Sequence, residues 1–455
     1  MTGNIQIRYH HYGEILSVGI PIIIGQLGTI ILGFADTLMI GHHSTQELAA
    51  AGLVNNIFAL VFIAYMGFSY GLTPIVGQLM GKEQTTLIGG KVKNSLAANL
   101  LVGLVFTLAL TLLYLNLHRM GQPEELLPLI RPYFLVNMTS VLFMGVFNTL
   151  KQFLDGIMHP KVSMWVMVTG NVINVLGNWL LIYGVAFFPE MGLFGAGIST
   201  FLSRVFMAVA LVAVVCFSAR YRHYRNDIIA GKVNLADFLE MNRLGWPVAL
   251  QLGMESAAFT LSCVMAGWLG TLPLAAHQIM ITTSQLFYLV LSGLAAAMSI
   301  RVSHFMGQND YASANRTAYD GFRLSLFFSA VMTVPVMLFR HELGGLFNDN
   351  QEVQQTVAML VIVLALYQFG DGFQYTFANA LRGIACVKPL VPYAFIAYFV
   401  ICLPLGYALG FVLRLGILGI WLAFPVGLTI AGFLYWQRFS KELHKIRMHN
   451  ESETK

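Results

Sequence analysis

Twelve predominantly apolar stretches of about 20 residues or more run along the chain. They fall near 15–40, 48–75, 94–117, 128–150, 162–184, 193–218, 240–268, 274–300, 317–340, 354–381, 390–412 and 417–437. A helix rises 1.5 Å per residue, so about 20 apolar residues cross the ~30 Å hydrocarbon core of a bilayer. In lipid every backbone polar group must be satisfied within the protein, and a helix does so within its own segment. The expected fold class is therefore all-α integral membrane, with twelve transmembrane helices. Composition agrees: 57% of the 455 residues are hydrophobic and only 10% charged, against about 25% charged in soluble domains.

The net charge of +5 does not argue for nucleic acid, because the basic residues sit in the breaks between spans. Of the 26 Lys and Arg, those near Arg8, Lys82, Lys151, Arg220, Arg301, Arg382 and Arg438 share one face. Arg119, Arg131, Arg340 and Arg414 lie on the other, and Arg204 alone is placed inside a span. The positive-inside rule makes the first face cytoplasmic. Both termini are then expected in the cytoplasm, with the chain in the cell (inner) membrane. The first 13 residues are polar and no cleavage pattern follows, so no cleaved signal peptide is expected. Cys216, Cys263, Cys386 and Cys402 are irregularly spaced within apolar stretches, which argues against a disulfide framework or a zinc site. No cofactor is expected.

The longest break, 219–239, lies near the middle and separates two similar halves. At an offset of 226 residues Pro21 falls on Pro247, Gly41 on Gly267, Leu48-Ala49-Ala50 on Leu274-Ala275-Ala276, and LMGKEQ (79–84) on FMGQND (305–310). At 227, Gly156-Ile157 falls on Gly383-Ile384 and Lys161 on Lys388; at 224, GLFGAG (192–197) falls on GILGIW (416–421). Matches in this order indicate an internal repeat. Six spans per half give both halves one orientation: a parallel repeat of two pseudo-symmetric six-helix lobes, an architecture of secondary transporters. The expected division is a first lobe at 1–218, a cytoplasmic linker at 219–239, a second lobe at 240–437 and a cytoplasmic tail at 438–455.

Ionisable groups within spans are expensive, and they are the default functional candidates. Glu255 lies in span 7, Asp371 in span 10 and Asp36 in span 1. Tyr367, Asp371 and Tyr375 share a helix face by their spacing of four, flanked by Gln368 and Gln374. Gln251, Glu255, Phe259 and Ser262 share a face of span 7, and span 8 carries Gln278, Gln285 and Tyr288. Carboxylates, amides and aromatics together suit organic cations. The same oxygens suit Na⁺ at Glu255 and Asp371, or a proton, which a carboxylate removed from water retains more readily. On span 5, Asn171, Asn174 and Asn178 form a polar stripe. It serves either interhelical hydrogen bonding or a site with Asp36 and Thr200 of span 6. The acids do not repeat: Glu255 falls on Thr29, Asp36 on Ser262 and Asp371 on Met144. The halves share a scaffold but differ in chemistry.

The sequence resembles the multidrug and toxic compound extrusion (MATE) family, most closely its NorM-like branch. The resemblance rests on Pro21 with GFADTLMIG (33–41) and LAAAG (48–52), GLTPIVGQLMG (71–81), GWPVALQLGMES (245–256), LAAHQ (274–278), SIRVSHFMGQ (299–308) and GDGFQYTFANALRG (370–383). It covers nearly the whole chain and implies an antiporter of two six-helix lobes. Such a protein exports cationic amphipathic organic compounds against inward Na⁺ or H⁺. It also implies cation binding at Glu255, Asp371, Tyr367 and Tyr288, and coupling at Asp36 with Asn174, Asn178 and Thr200. Some relatives carry an acid where this chain has Asn178. The pair His42-His43 replaces a Gly-rich turn and is expected in an exposed outer loop.

The function expected is a cation-coupled multidrug antiporter working by alternating access, with Na⁺ set slightly ahead of H⁺. Coupling falls to Glu255, Asp371, Tyr367, Asp36, Asn174, Asn178 and Thr200; substrate contact to Tyr288, Gln278, Gln285, Phe259, Gln374 and Tyr375. Its partners are small organic cations, a monovalent cation and the bilayer, and a monomer is expected. A lipid-linked saccharide flippase is disfavoured because only Arg204 lies within a span to meet phosphates. A membrane-embedded transferase would need clustered catalytic residues, and His341 and Asp349 are isolated. A channel would not need two inequivalent lobes with buried acids.

Overall fold

The computed structural model describes residues 2–120, 124–185 and 187–453, with side chains from Tyr12 onward except Met120, Glu451 and Glu453. Arg8, assigned above to the cytoplasmic face, and Lys455, the last residue of the expected cytoplasmic tail, lie outside the described side chains. Among the described residues twelve helical segments are long and apolar enough to cross a membrane. The first six spans are formed by α1 (Thr2–His43), α2 (Thr45–Ser69) with α3 (Leu72–Gly81), α4 (Thr85–Leu115), α5 (Leu127–Thr139) with α6 (Val141–Gly156), α7 (Pro160–Ile182) and α8 (Gly192–Phe217). The short α9 (Arg222–Ala230) occupies the central break. The next spans are α10 (Leu235–Trp268), α11 (Thr271–Gly307) and α12 (Tyr311–Leu338), followed by the one-turn α13 (Arg340–Leu343) and the long α14 (Gln351–Gly383). Span 11 joins α15 (Leu390–Phe395) and α16 (Leu403–Tyr407) through π-helical turns at Ile396–Cys402 and Ala408–Val412. The last span is α17 (Ile417–Glu453).

The internal repeat is written into the backbone. Glu83 and Asn309 both adopt left-handed φ, at 58° and 57°, as do Met158 and Ala385, at 61° and 57°. Gly192 and Gly416 follow at 54° and 59°. These three pairs stand at the offsets of 226, 227 and 224 that align the sequences. A left-handed residue costs a side chain about 1–2 kcal/mol. Its recurrence at equivalent helix ends marks a common scaffold in both halves.

The chain forms two compact units, one of Ile24–Ala249 and one of Met1–Ile23 with Leu250–Lys455. This partition cuts two helices rather than the central break. It falls two residues after Pro21 and two after Pro247, which are repeat-equivalent positions. Proline removes one i→i−4 hydrogen bond from a helix, so each helix is interrupted close to where it passes from one unit to the other. Local packing explains the membership of the exchanged segments. In the unit of Ile24–Ala249, Gly71 and Gly245 bring backbones together: a Cβ on Gly245 would lie 2.6 Å from the Phe68 carbonyl oxygen. Lys91 binds Asp237 at 2.6 Å and Glu240 at 2.5 Å, anchoring the start of α10. In the other unit, Arg301 pairs with Glu14, and Gly19 faces Ala297.

One expectation needs correcting. His42-His43 is not an exposed loop, because α1 continues through His43 and Ser44 caps α2. The His43 side chain is 19% exposed and bridges two carboxylates. Its Nδ1 lies 2.7 Å from Glu47 and its Nε2 2.9 Å from Glu190.

Candidate functional site

In the unit containing Leu250–Lys455, α14 is the inner helix, packed against α11, α12 and α17. Its buried residues include Tyr367, Gln368, Asp371, Gln374, Tyr375, Asn379 and Arg382. α10 supplies Gln251 and Glu255, also buried. Glu255 lies within the field of Asp371, with the Gln374 amide and the Tyr398 hydroxyl close enough to influence it. The Gln374 amide also donates to the Tyr398 hydroxyl at 3.2 Å. Among the described residues, neither Asp371 oxygen, Oε2 of Glu255, nor either amide atom of Gln368 has a hydrogen-bond partner. Buried polar atoms are ordinarily paired, so several polar atoms here are available to a guest cation or proton. The donor set is hard oxygen, suited to Na⁺. No three His, Cys, Asp or Glu among the described residues gather as a metal site.

Aromatic rings wall this cluster. Phe259 stacks on Phe424 with centroids 4.8 Å apart. Tyr367 meets Phe259, Trp421 and Phe424 edge-on at 6.4, 6.1 and 6.2 Å. Tyr288 and Tyr375 share a hydroxyl–hydroxyl bond of 2.8 Å. The structure thus brings Glu255, Asp371, Tyr367, Phe259 and Gln374 into one cluster, with the Tyr288–Tyr375 pair linked to it along α14. It does not bring in Gln278 and Gln285. Both are exposed on α11, and Gln278 donates to Cys263 Sγ at 3.1 Å.

Arg382 is a second correction. Placed above among the charges outside the spans, it is in fact 4% exposed. It donates to Gln251 Oε1 at 2.6 Å and to Asn379 Oδ1 at 3.2 Å. Arg204 is therefore not the only arginine within a span, and the argument against a flippase from arginine scarcity falls away. Tyr398 and Arg382 are the site residues missed from sequence. His277 was missed too: it is fully buried and accepts at Nδ1 from the Trp421 indole at 3.2 Å.

In the unit of Ile24–Ala249, the second cluster joins α1, α7 and α8. Asn178 donates to Asp36. Asn174 contacts the Thr200 hydroxyl at 3.1 Å. Turning the Asn174 amide over lets it donate to Asp36 at 2.8 Å and accept from Thr200, an assignment that the hydrogen-bond network decides. Arg204 donates to Ser140 at 2.6 Å and Asn137 at 3.3 Å. Its guanidinium lies 4.4 Å from the centroid of the Phe62 ring. All four residues expected here, Asp36, Asn174, Asn178 and Thr200, are neighbours.

These features define a multi-pass helical membrane protein built as a repeat, with an acid-bearing polar cluster in each unit. The chain belongs to the MatE family, whose family model matches residues 21–180 and again 247–408. The two matches begin 226 residues apart. Members of this family are transporters rather than enzymes. The chain is 28% identical over 425 residues to a probable multidrug resistance protein NorM of Photorhabdus laumondii, covering 92% of this chain and 93% of that one. It is also 28% identical to the multidrug resistance protein NorM of Photobacterium profundum, over 93% and 94% of the two chains. A solved outward-facing multidrug resistance MATE family transporter of the MOP superfamily shares the fold, with a TM-score of 0.87 at 18% identity over 96% and 97% of the chains.

Proposed function

We propose that this protein is a cation-coupled multidrug antiporter of the cell (inner) membrane, with both termini cytoplasmic. It exports cationic amphipathic organic compounds by alternating access. One observation carries the reading: Glu255 and Asp371 are both buried, Glu255 within the field of Asp371, and Oε2 of Glu255 and both Asp371 oxygens have no hydrogen-bond partner among the described residues. A bare carboxylate in such surroundings is costly unless neutralised, so the pair holds either a coupling ion or an organic cation. On the outward side Na⁺ or H⁺ neutralises the pair and releases the drug. On the inward side the ion leaves and drug binds again. The two halves of the repeat serve as the bodies that rock, and Asp36 with Asn174, Asn178 and Thr200 forms the coupling cluster of the first half. Na⁺ is set slightly ahead of H⁺, since the cluster offers hydroxyl and amide oxygens beside its carboxylates. The gradient supplies about 2.3 kcal/mol per charge per 100 mV, plus the concentration term. In everted vesicles, E255Q and D371N are each expected to abolish ion-driven accumulation of a fluorescent organic cation; accumulation at the wild-type rate by both variants refutes the proposal.

A further inference from the structure

The two polar clusters differ in fixed charge. Four other acids are already matched: Glu14 with Arg301, Asp155 with Lys151 at 2.6 Å, Asp320 with Arg323 at 2.8 Å and Glu442 with Arg438 at 2.8 Å. In the unit of Ile24–Ala249 stand Asp36 and Arg204, both half-buried, one of each sign and in each other's field. That cluster is neutral as built. Deep in the other unit stand two acids, Glu255 and Asp371, and one base, Arg382.

Arg382 belongs to this cluster by geometry. It occupies the last turn of α14, yet on its own helix it reaches back, to Asn379 and to the Tyr375 ring 6.0 Å away. Side chains on a helix lean towards its N-terminus, so the guanidinium leans back along α14 to the level of Tyr375. Its third contact, Gln251, stands one turn before Glu255 on α10, which puts the charge about one helical turn, ~5–6 Å, from the level of Glu255. Glu255 lies within the field of Arg382 as well as that of Asp371.

We infer that Arg382 is a resident cation of the Glu255–Asp371 cluster, so that the cluster takes up one monovalent cation, not two. This rests on the cation-coupled reading above and deepens it. Two carboxylates and one guanidinium leave a single negative charge, and buried groups are stable only when their charge is compensated. One Na⁺ or one proton completes the balance. Arg382 does not touch that cation. It is a positioning residue that weakens the hold of the acids enough for the cation to be released, and Gln251 keeps it in place.

The test counts charge. For purified full-length protein, radiolabelled Na⁺ bound plus protons taken up are summed, and the same sum for the E255Q/D371N double variant is subtracted. The wild type is expected to give one. R382Q is expected to give two, with the first bound at least tenfold more tightly and with slowed drug efflux; R382K is expected to restore the count of one and the efflux. A wild-type count of two overturns the inference, and so does an R382Q isotherm superimposable on the wild type. Should R382Q fail to fold, the wild-type count and R382K still decide. A wild-type count of zero removes the cation site altogether, contradicting the functional proposal itself and not this inference alone.

Discussion

Gly245 tests how the first part of α10 is held in the unit of Ile24–Ala249. A Cβ there would stand 2.6 Å from the Phe68 carbonyl oxygen and 2.7 Å from its ring carbon. Ordinary contact begins at about 3.4 Å, so the backbones must separate by most of an ångström. Overpacking of this kind costs about 1–3 kcal/mol. The same helix contains its own control, because a Cβ on Gly253 meets nothing within 4 Å. Both substitutions by alanine gain about the same helix propensity, up to ~1 kcal/mol, and that term cancels between them. Gly245→Ala should therefore be less stable than Gly253→Ala by about 1–3 kcal/mol. Melting curves of the two purified variants in one detergent, followed by fluorescence-detected size exclusion, give the comparison. Equal midpoints would refute the close-approach argument and with it the account of why α10 is divided between units.

Further outcomes follow from the other clusters. Asp36→Asn removes the charge that faces Arg204 but keeps the contact with Asn178; it should fold, and should lose at least tenfold in ion-driven efflux in everted vesicles. His159, between the spans, is held below its ordinary pKa by burial and by the Arg220 guanidinium, which donates to its Nε2 at 2.7 Å. A depressed histidine supports the fold fully above its unfolded pKa and loses that support as pH falls through ~6.5 towards its folded value. His159→Gln should therefore flatten the decline in melting temperature on acidification, measured on either side of that window; an unchanged slope would contradict the assignment.

The number of spans and the repeat were legible because hydrophobic length and order survive any packing. The left-handed turns at Glu83 and Asn309, Met158 and Ala385, and Gly192 and Gly416 stand at the offsets that sequence alignment supplied. The acid pair was legible too, because a carboxylate in an apolar helix is conspicuous. Arg382 was not. An arginine that follows an apolar run resembles an end-of-span charge, and its burial depends on Gln251, which lies 131 residues away in the chain. Tyr398 lies in a π-helical stretch, where the widened turn breaks the 3.6-residue period that assigns side chains to faces. The exchange of half-helices between units rests on glycine contacts such as Gly71 with Gly245, which no hydrophobic pattern encodes. Gln278 and Gln285 stand apart from the cluster because both are exposed on α11.

The central claim is that the Glu255–Asp371 pair couples cation entry to drug export. Purified protein in proteoliposomes, given a Na⁺ gradient at fixed pH and then a pH gradient at fixed Na⁺, measures this directly through uptake of a fluorescent organic cation. Wild-type protein should respond to at least one gradient, and the E255Q and D371N variants to neither. Gradient-driven uptake by both variants at the wild-type rate would contradict the account.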